Sequence, residues 1–272
     1  MNRIKARVCA KINLNLLITG KLGDMHTLDS LMHSVSLYDT VEMSEGEGVY
    51  MDGVRDDKNS VIKVVKLMEE YGLPRVRFDI KKGIPFSAGL GGSSADMSAC
   101  VELVKLVYGV SLDTVRLGSD VTFMQKGGFA RVRGIGDIVE YLNPLKLHLV
   151  VAKGRGGVST KEAYRLFDEG DDRSSCNTLQ LIDALRDGDW EKVKLNLVND
   201  LQASAKILNP NVVDTYARLR KCTDMVLMSG SGSAVFGIFK TKEEAIDAER
   251  ALRNELRFVK YVTTKSQGVE IL

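Results

Sequence analysis

Two glycine-rich stretches carry the plainest chemical signal in the chain. The first, Ser87-Ala88-Gly89-Leu90-Gly91-Gly92-Ser93-Ser94, follows Pro85 and runs into a helical pattern. Glycines let backbone approach a ligand closely and adopt positive φ. The free N–H groups at the helix start, helped by the helix dipole, form an anion site suited to phosphate. Ser93 and Ser94 add hydroxyl donors. The same residues also suit a plain turn in which Ser93 caps the helix. The second stretch, Ser229-Gly230-Ser231-Gly232-Ser233, lies between two short apolar runs. It reads as a tight β-turn or as a second backbone cradle. The first loop lacks the lysine of a Walker A motif and the G-x-G-x-x-G spacing of a dinucleotide site, and protein-kinase signatures are missing.

A second candidate lies near the N-terminus. Ile12, Leu14 and Leu16 alternate with Lys11, Asn13 and Asn15. That is the period of a half-buried strand with a polar face. The three histidines, His26, His33 and His148, are isolated in sequence, as are the cysteines Cys9, Cys100, Cys176 and Cys222. No C-x-x-C pair is present, which argues against a zinc ribbon or a thioredoxin motif. Reduced, partly buried thiols suit a cytoplasmic protein.

The elements that must position these residues follow from periodicity. Strands are expected at 1–10, 10–16, 35–43, 75–80, 129–132, 148–152, 226–228, 234–239, 258–263 and 269–272. Helices are expected at 60–71, 95–108, 113–125, 179–186, 190–198 and 210–221. Ser159-Thr160-Lys161-Glu162 and Thr241-Lys242-Glu243-Glu244 read as capping boxes that open two more. The interleaving is irregular, so the fold class is α+β, with one domain at 1–150 and a second at 151–272.

Bulk properties exclude several classes. The 272 residues are 44% hydrophobic and 27% charged, ordinary for a globular chain that can bury a core. A net charge of +2, from 38 basic and 36 acidic residues, argues against a nucleic-acid partner. No run of 18 apolar residues suggests a membrane span, and no targeting segment is evident, so a cytoplasmic location is expected.

Taken together, the motifs resemble those of the GHMP kinases. The segment 10–16, A-K-I-N-L-N-L, is similar to their first motif. The segment 85–98, P-F-S-A-G-L-G-G-S-S-A-D-M-S, is similar to the second. The segment 228–236, M-S-G-S-G-S-A-V-F, is similar to the third. Within the group the likeness is strongest to the 4-diphosphocytidyl-2-C-methyl-D-erythritol kinases. It includes L-G-S-D-V-T-F-M-Q-K-G-G-F-A at 117–130, G-I-G-D at 134–137 and G-V-S-T-K-E-A-Y at 157–164.

The resemblance implies a two-domain fold: an N-terminal ribosomal-protein S5-like α/β domain, a C-terminal α+β domain and an active site between them. It implies transfer of the ATP terminal phosphate to a small-molecule alcohol, a cytidine diphosphate-linked methylerythritol, with Mg2+ accompanying ATP. By family position Asp120 is the base and Lys11 holds it ionised. Asn59 and Lys82 lie near adenine or ribose, and Ala88, Gly89, Leu90, Gly91, Gly92, Ser93 and Ser94 hold the triphosphate. Asn13, His26, Thr160 and Tyr164 serve the acceptor, His26 reading the cytosine edge and Tyr164 stacking on the base. Gly230, Ser231 and Gly232 face phosphates or substrate. No protein cage for a metal is expected, and the chain is a monomer or homodimer.

Each residue also has a plainer reading: Asn59 as a helix cap, Lys82 on the surface, Tyr164 in the core. The chain departs from the family in three places. Met25 stands where a base-stacking tyrosine is usual, Gly91-Gly92 where three glycines are frequent, and Thr122 where proline follows D-V. Two alternatives stay open: a GHMP kinase for homoserine, mevalonate or a sugar, and a non-catalytic nucleotide-binding protein of the same fold.

Overall fold

The computed structural model describes residues 3–170 and 174–272. In chain order the elements are β1 (Ile4–Leu22), β2 (Met25–Glu45), β3 (Gly48–Met51), β4 (Val54–Arg55), α1 (Ile62–Glu70), β5 (Val76–Lys81) and α2 (Gly92–Tyr108). A 3-10 turn (Thr114–Arg116) precedes α3 (Ser119–Lys126), β6 (Phe129–Gly134), β7 (Ile138–Leu142), β8 (His148–Lys153), α4 (Thr160–Glu169), α5 (Thr178–Asp187), α6 (Trp190–Asn196) and α7 (Gln202–Leu208). Then come α8 (Asn211–Arg220), β9 (Val226–Met228), β10 (Val235–Phe239), α9 (Lys242–Leu252), β11 (Phe258–Lys265) and β12 (Val269–Ile271). Among the described residues no helix is long and apolar enough to cross a membrane.

One mixed sheet organises the chain. Its main path runs β4-β3-β5-β2-β11-β8-β10-β9, with β1, β6, β7 and β12 joined beside β2. The two expected N-terminal strands are one, β1, with Met1 and Asn2 outside the described residues. β2 extends ten residues upstream of its expected start because residues 25–34 pair with β1 and β6. Polar residues such as His26, Asp29 and Ser30 hide the strand alternation there.

Two apolar cores lie on opposite faces of the β8–β10 ribbon. On β8, Leu149 and Val151 join the larger core, while Val150 and Ala152 join the smaller one. This is the period-two alternation of a strand buried on both sides. The larger core holds α1, α2 and α3 against the N-terminal strands; the smaller holds α4, α7, α8 and α9. α2 is buried along most of its first half, from Ala95 to Val101, as befits a helix enclosed by other layers.

Two local departures from the expected elements bear on the site. α2 begins at Gly92, three residues early, because Gly91 takes φ +75° at its N-cap. Ser93 therefore sits inside the first turn and is not the cap. The helix expected at 113–125 is interrupted at Gly118, whose φ of +151° no helix accommodates. Asp120 consequently lies in the first turn of α3. There the positive end of the helix dipole favours a carboxylate.

Candidate active site

The polar face of β1 is buried, and so is its apolar face. Lys11 is 4% exposed, and Asn13 and Asn15 are fully enclosed. Register shifts between Asn13 and Asn15 mark a bulge opposite β2. Such bulges re-aim side chains. Lys11 Nζ donates to Asn13 Oδ1 at 2.5 Å and lies 3.6 Å from Asp120 Oδ2. Asn13 Nδ2 donates to Ser30 Oγ at 2.8 Å, and Ser30 Oγ donates to the Asn15 carbonyl at 2.6 Å. Both polar groups of Asn13 are thus engaged within the protein, although the residue lines the cavity. Its amide oxygen holds Lys11 in place.

The glycine loops press against this strand and against each other. Lys11 N–H donates to the Leu90 carbonyl at 3.0 Å. Gly91 lies so near Lys11 that a Cβ there would come within 3.0 Å of Lys11 Cγ. A Cβ on Gly89 would sit 2.0 Å from the Ser229 carbonyl oxygen. Ser229 Oγ donates to the Gly89 carbonyl at 3.0 Å and accepts from Asn13 N–H at 3.3 Å. Backbone bonds from Ser233 to Ser87 and from Ala234 to Ala88 extend the contact. Asn199 Nδ2 donates to the Met228 and Gly230 carbonyls, each at 2.8 Å. Ser229 and Asn199 escaped the sequence reading. The first lay inside a quoted motif, but as a turn residue; nothing marked the second.

These elements enclose a cavity of about 830 Å³. Lys11, Asn13, Asn59, Lys82, Asp120, Thr160, Tyr164, Gly230, Ser231 and Gly232 line it together with every residue from Ala88 to Ser94. The first turn of α2 opens into it, and its N-cap forms no side-chain hydrogen bond. Thr160 Oγ1 lies 2.7 Å from Ser231 Oγ and ties α4 to the second glycine loop.

Lys82 and Asn59 are both occupied. Asn59 Oδ1 accepts from Val61 N–H at 2.9 Å and so braces the entry to α1. Lys82 is buried between Asp39 and Asp96, donating to the latter at 2.7 Å. That corrects the surface reading of Lys82. Asp39 also accepts from Gly83 and Ile84 N–H. Asp96 Oδ1 is buried without a hydrogen-bond partner. Burial and the repulsion of Asp39 push the Asp96 carboxyl up to about 8, against the pull of Lys82. Burial opposes the Lys82 charge, but Asp96 and Asp39 outweigh it and hold its pKa above the ordinary value. Neither aspartate was singled out from sequence; isolated acidic residues give no sign of burial.

A second cavity of about 640 Å³ adjoins the first and shares Leu28, Ser119 and Tyr164 with it. His26 opens onto it, together with Met25. The His26 ring stacks on Tyr164, with centroids 4.5 Å apart. The sequence reading placed a base against Tyr164; here His26 covers one face of that ring. Burial, with a smaller push from Asp120, raises the Tyr164 phenol to about 12. His33 and His148 lie elsewhere: His33 is buried against Phe129, and His148 Nδ1 lies 2.8 Å from Tyr261 Oη. The four cysteines are unpaired.

The arrangement offers backbone donors for an anion and a carboxylate beside an ammonium, with room for a second ligand. Comparison with known proteins gives it a family. Residues 59–139 match the model of the GHMP kinases N terminal domain, and residues 181–257 match that of GHMP kinases C terminal. The chain is 34% identical to the 4-diphosphocytidyl-2-C-methyl-D-erythritol kinase of Desulfitobacterium hafniense (strain Y51), over 90% of each chain. It is 30% identical to the enzyme of the same name from Thermoanaerobacter pseudethanolicus, over 100% of this chain and 99% of that one. The crystal structure of a 4-(cytidine 5'-diphospho)-2C-methyl-D-erythritol kinase superposes with a TM-score of 0.80 at 28% identity, covering 96% of this chain and 98% of the other. A homoserine kinase from Cytophaga hutchinsonii shares the fold, with a TM-score of 0.76 at 21% identity and coverage of 100% and 98%.

Proposed function

The chain belongs to the 4-diphosphocytidyl-2-C-methyl-D-erythritol kinase family of the GHMP kinases, and from that premise we propose that its cleft transfers the terminal phosphate of ATP to the 2-hydroxyl of 4-diphosphocytidyl-2-C-methyl-D-erythritol. The reaction serves non-mevalonate isoprenoid precursor biosynthesis. The observation that carries the reading is the junction of the two cavities. A phosphate-binding helix start and the Lys11–Asp120 pair share one cavity, and the adjoining one is large enough for a nucleotide-linked acceptor.

Phosphoryl transfer requires positioning, charge neutralisation and removal of the acceptor proton. Asp120 takes that proton. Lys11, oriented by Asn13, faces Asp120 at 3.6 Å and steadies the acceptor hydroxyl beside it. The N–H groups of the α2 first turn receive the triphosphate, with Ser93 and Ser94 contributing hydroxyls. Gly230, Ser231 and Gly232 close the cradle from the other side. Asn59 and Lys82 brace the nucleoside end, the lysine by fixing the chain before the loop.

Mg2+ fits this site as a companion of the phosphates, whose charge it would neutralise. Among the described residues no three His, Cys, Asp or Glu side chains gather as a metal cage. An ion that keeps most of its waters needs none. In this scheme residues 1–150 supply the base and the first phosphate loop, and 151–272 supply Thr160, Tyr164 and the second loop. Unpaired thiols suit a reducing compartment, and we place the reaction in the cytoplasm.

The test is ADP release from Mg-ATP with the cytidyl alcohol, homoserine and mevalonate assayed in parallel, and Asp120→Ala as the control. Turnover with the cytidyl substrate that vanishes in the variant is expected. Turnover confined to another alcohol would discard the acceptor assignment.

A further inference from the structure

Asp168 had no place in the sequence reading, yet it touches the residue assigned to base recognition. It lies on α4, four residues after Tyr164, so both side chains reach the same face of the helix. Its Oδ1 lies 2.7 Å from His26 Nε2, and its Oδ2 accepts from Lys21 Nζ at 2.8 Å. Lys21 and His26 face each other across the β1–β2 ladder. His26 is further fixed by Tyr164, stacked with centroids 4.5 Å apart, and by Phe167, set edge-to-face with centroids 6.5 Å apart. The imidazole therefore has one orientation, set by two rings and one carboxylate.

That geometry determines which ring nitrogen carries the proton. The hydrogen bond from His26 and the second from Lys21 hold the Asp168 carboxyl below its ordinary range, so it is ionised and can only accept. The proton in the 2.7 Å contact must then sit on His26 Nε2. In the neutral ring Nδ1 is left as an acceptor. Among the described residues Nδ1 has no hydrogen-bond partner, and His26 lines the second cavity.

We propose that Asp168, supported by Lys21, is a positioning residue that locks His26 in the Nε2–H tautomer, so that the second cavity selects a base presenting an amine donor. The inference rests on the acceptor reading above and deepens it. An acceptor nitrogen pairs with the exocyclic amine of cytosine. Uracil offers a carbonyl at that place, and two lone pairs would face each other. Unmatched polar groups of this kind are what give a binding site its discrimination. Asp24, Asp137, Lys161 and Arg165 also line this cavity, but their charges bear alike on the two bases, which are both neutral.

The replacement Asp168→Asn separates this role from a structural tie between α4 and the hairpin. An amide can either donate or accept, so it no longer dictates the tautomer. Asp168 is part-exposed, and the variant should fold with an unchanged melting temperature. Two readouts decide. Long-range proton–nitrogen NMR of the full chain at pH 8 should show His26 protonated at Nε2 alone, and a mixture of tautomers in the variant. Calorimetric titration with CDP and UDP should give the wild type a preference for CDP of about tenfold or more, and the variant one below about threefold. An Nδ1–H or doubly protonated His26 in the wild type would overturn the proposal. So would a variant that keeps both the tautomer and the preference. If neither nucleotide binds the wild type, the acceptor reading fails, and the ring-nitrogen pattern still decides the lock.

Discussion

Lys11 Nζ is closer to Asn13 Oδ1, at 2.5 Å, than to Asp120 Oδ2, at 3.6 Å. The lysine is thus anchored by a neutral amide on its own strand and presented to the carboxylate, and both residues line the same cavity. A tighter ion pair would occupy the Asp120 lone pairs and blunt it as a base. Lys11 and Asn13 share one face of β1 by the period-two alternation, and Ser30 on β2 holds Asn13 in place.

Replacing Asp120 by Asn keeps the shape and removes the proton acceptor. General-base contributions run to about 10²–10⁴-fold, so kcat should fall by that order. The KM for ATP should change little, because the proposed phosphate seat is on α2 and not on α3. Steady-state kinetics with the two substrates varied separately would check it. A large rise in the KM for ATP at near-normal kcat would move Asp120 out of the base role.

Asn13→Ala probes the anchor. It strips Lys11 of its 2.5 Å partner and leaves Ser30 Oγ without its donor. Lys11 would then swing onto Asp120. The expected result is a kcat lowered by about tenfold to a hundredfold. Wild-type kcat in this variant would mean that the anchor is not needed.

How much of this was legible beforehand depended on whether a residue's type forced its surroundings. Gly89 and Gly91 were legible because close approach and positive φ both demand glycine. Residues 10–16 showed their alternation, but not that the polar side would be buried, since burial of Lys11 depends on a loop 80 residues away. Asp39, Asp96 and Asp168 were silent, because an aspartate acquires meaning only from what lies across from it. The break at Gly118 was missed because helical periodicity continues through it, and it is that break which places Asp120 at a helix start.

Gly89→Ala should be among the most damaging single changes. The new Cβ would meet the Ser229 carbonyl oxygen at 2.0 Å, and the native φ of +72° is unfavourable for alanine. Strain at such a φ alone costs about 1–3 kcal/mol. Adding the clash, we expect a loss above about 3 kcal/mol together with impaired ATP binding. Gly23→Ala has a similar φ of +59° but no atom within 4 Å of the new Cβ, so it serves as the control. It should show the strain only. Equal losses in chemical denaturation would mean that the contact between the loops contributes nothing.

Lys82→Met tests the buried triad. Removing the ammonium leaves Asp39 and Asp96 facing each other out of water. Breaking a buried pair in this way costs about 3–5 kcal/mol. Adding Asp39→Asn to the same chain removes the carboxylate left without its cation and should return part of the loss. Urea midpoints of the single and double variants give the comparison. A double variant no more stable than the single one would mean that the unpaired Asp39 charge is not what destabilises the single variant.

His33 should make the protein sensitive to acid. Its Nδ1 lies 3.1 Å from the Ser34 carbonyl, and its Nε2 accepts from Leu145 N–H at 3.4 Å, so the buried ring is neutral with its proton on Nδ1. A second proton would face the Leu145 N–H directly. Burial lowers its pKa from 6.5 to about 4, the bond to the Ser34 carbonyl offsetting only part of the effect. The sign follows from linkage. Between pH 4 and 6.5 the unfolded chain binds a proton that the folded chain refuses, so stability falls as pH drops through that window. The contribution is complete above about pH 6.5, and its full size is on the order of 3 kcal/mol. His33→Gln carries no titrating group. Unfolding free energies measured from pH 7.5 down to 4.5 should therefore fall less steeply in the variant than in the wild type, by up to one bound proton. Parallel slopes would mean that His33 accepts its proton in the folded state as readily as in the unfolded one.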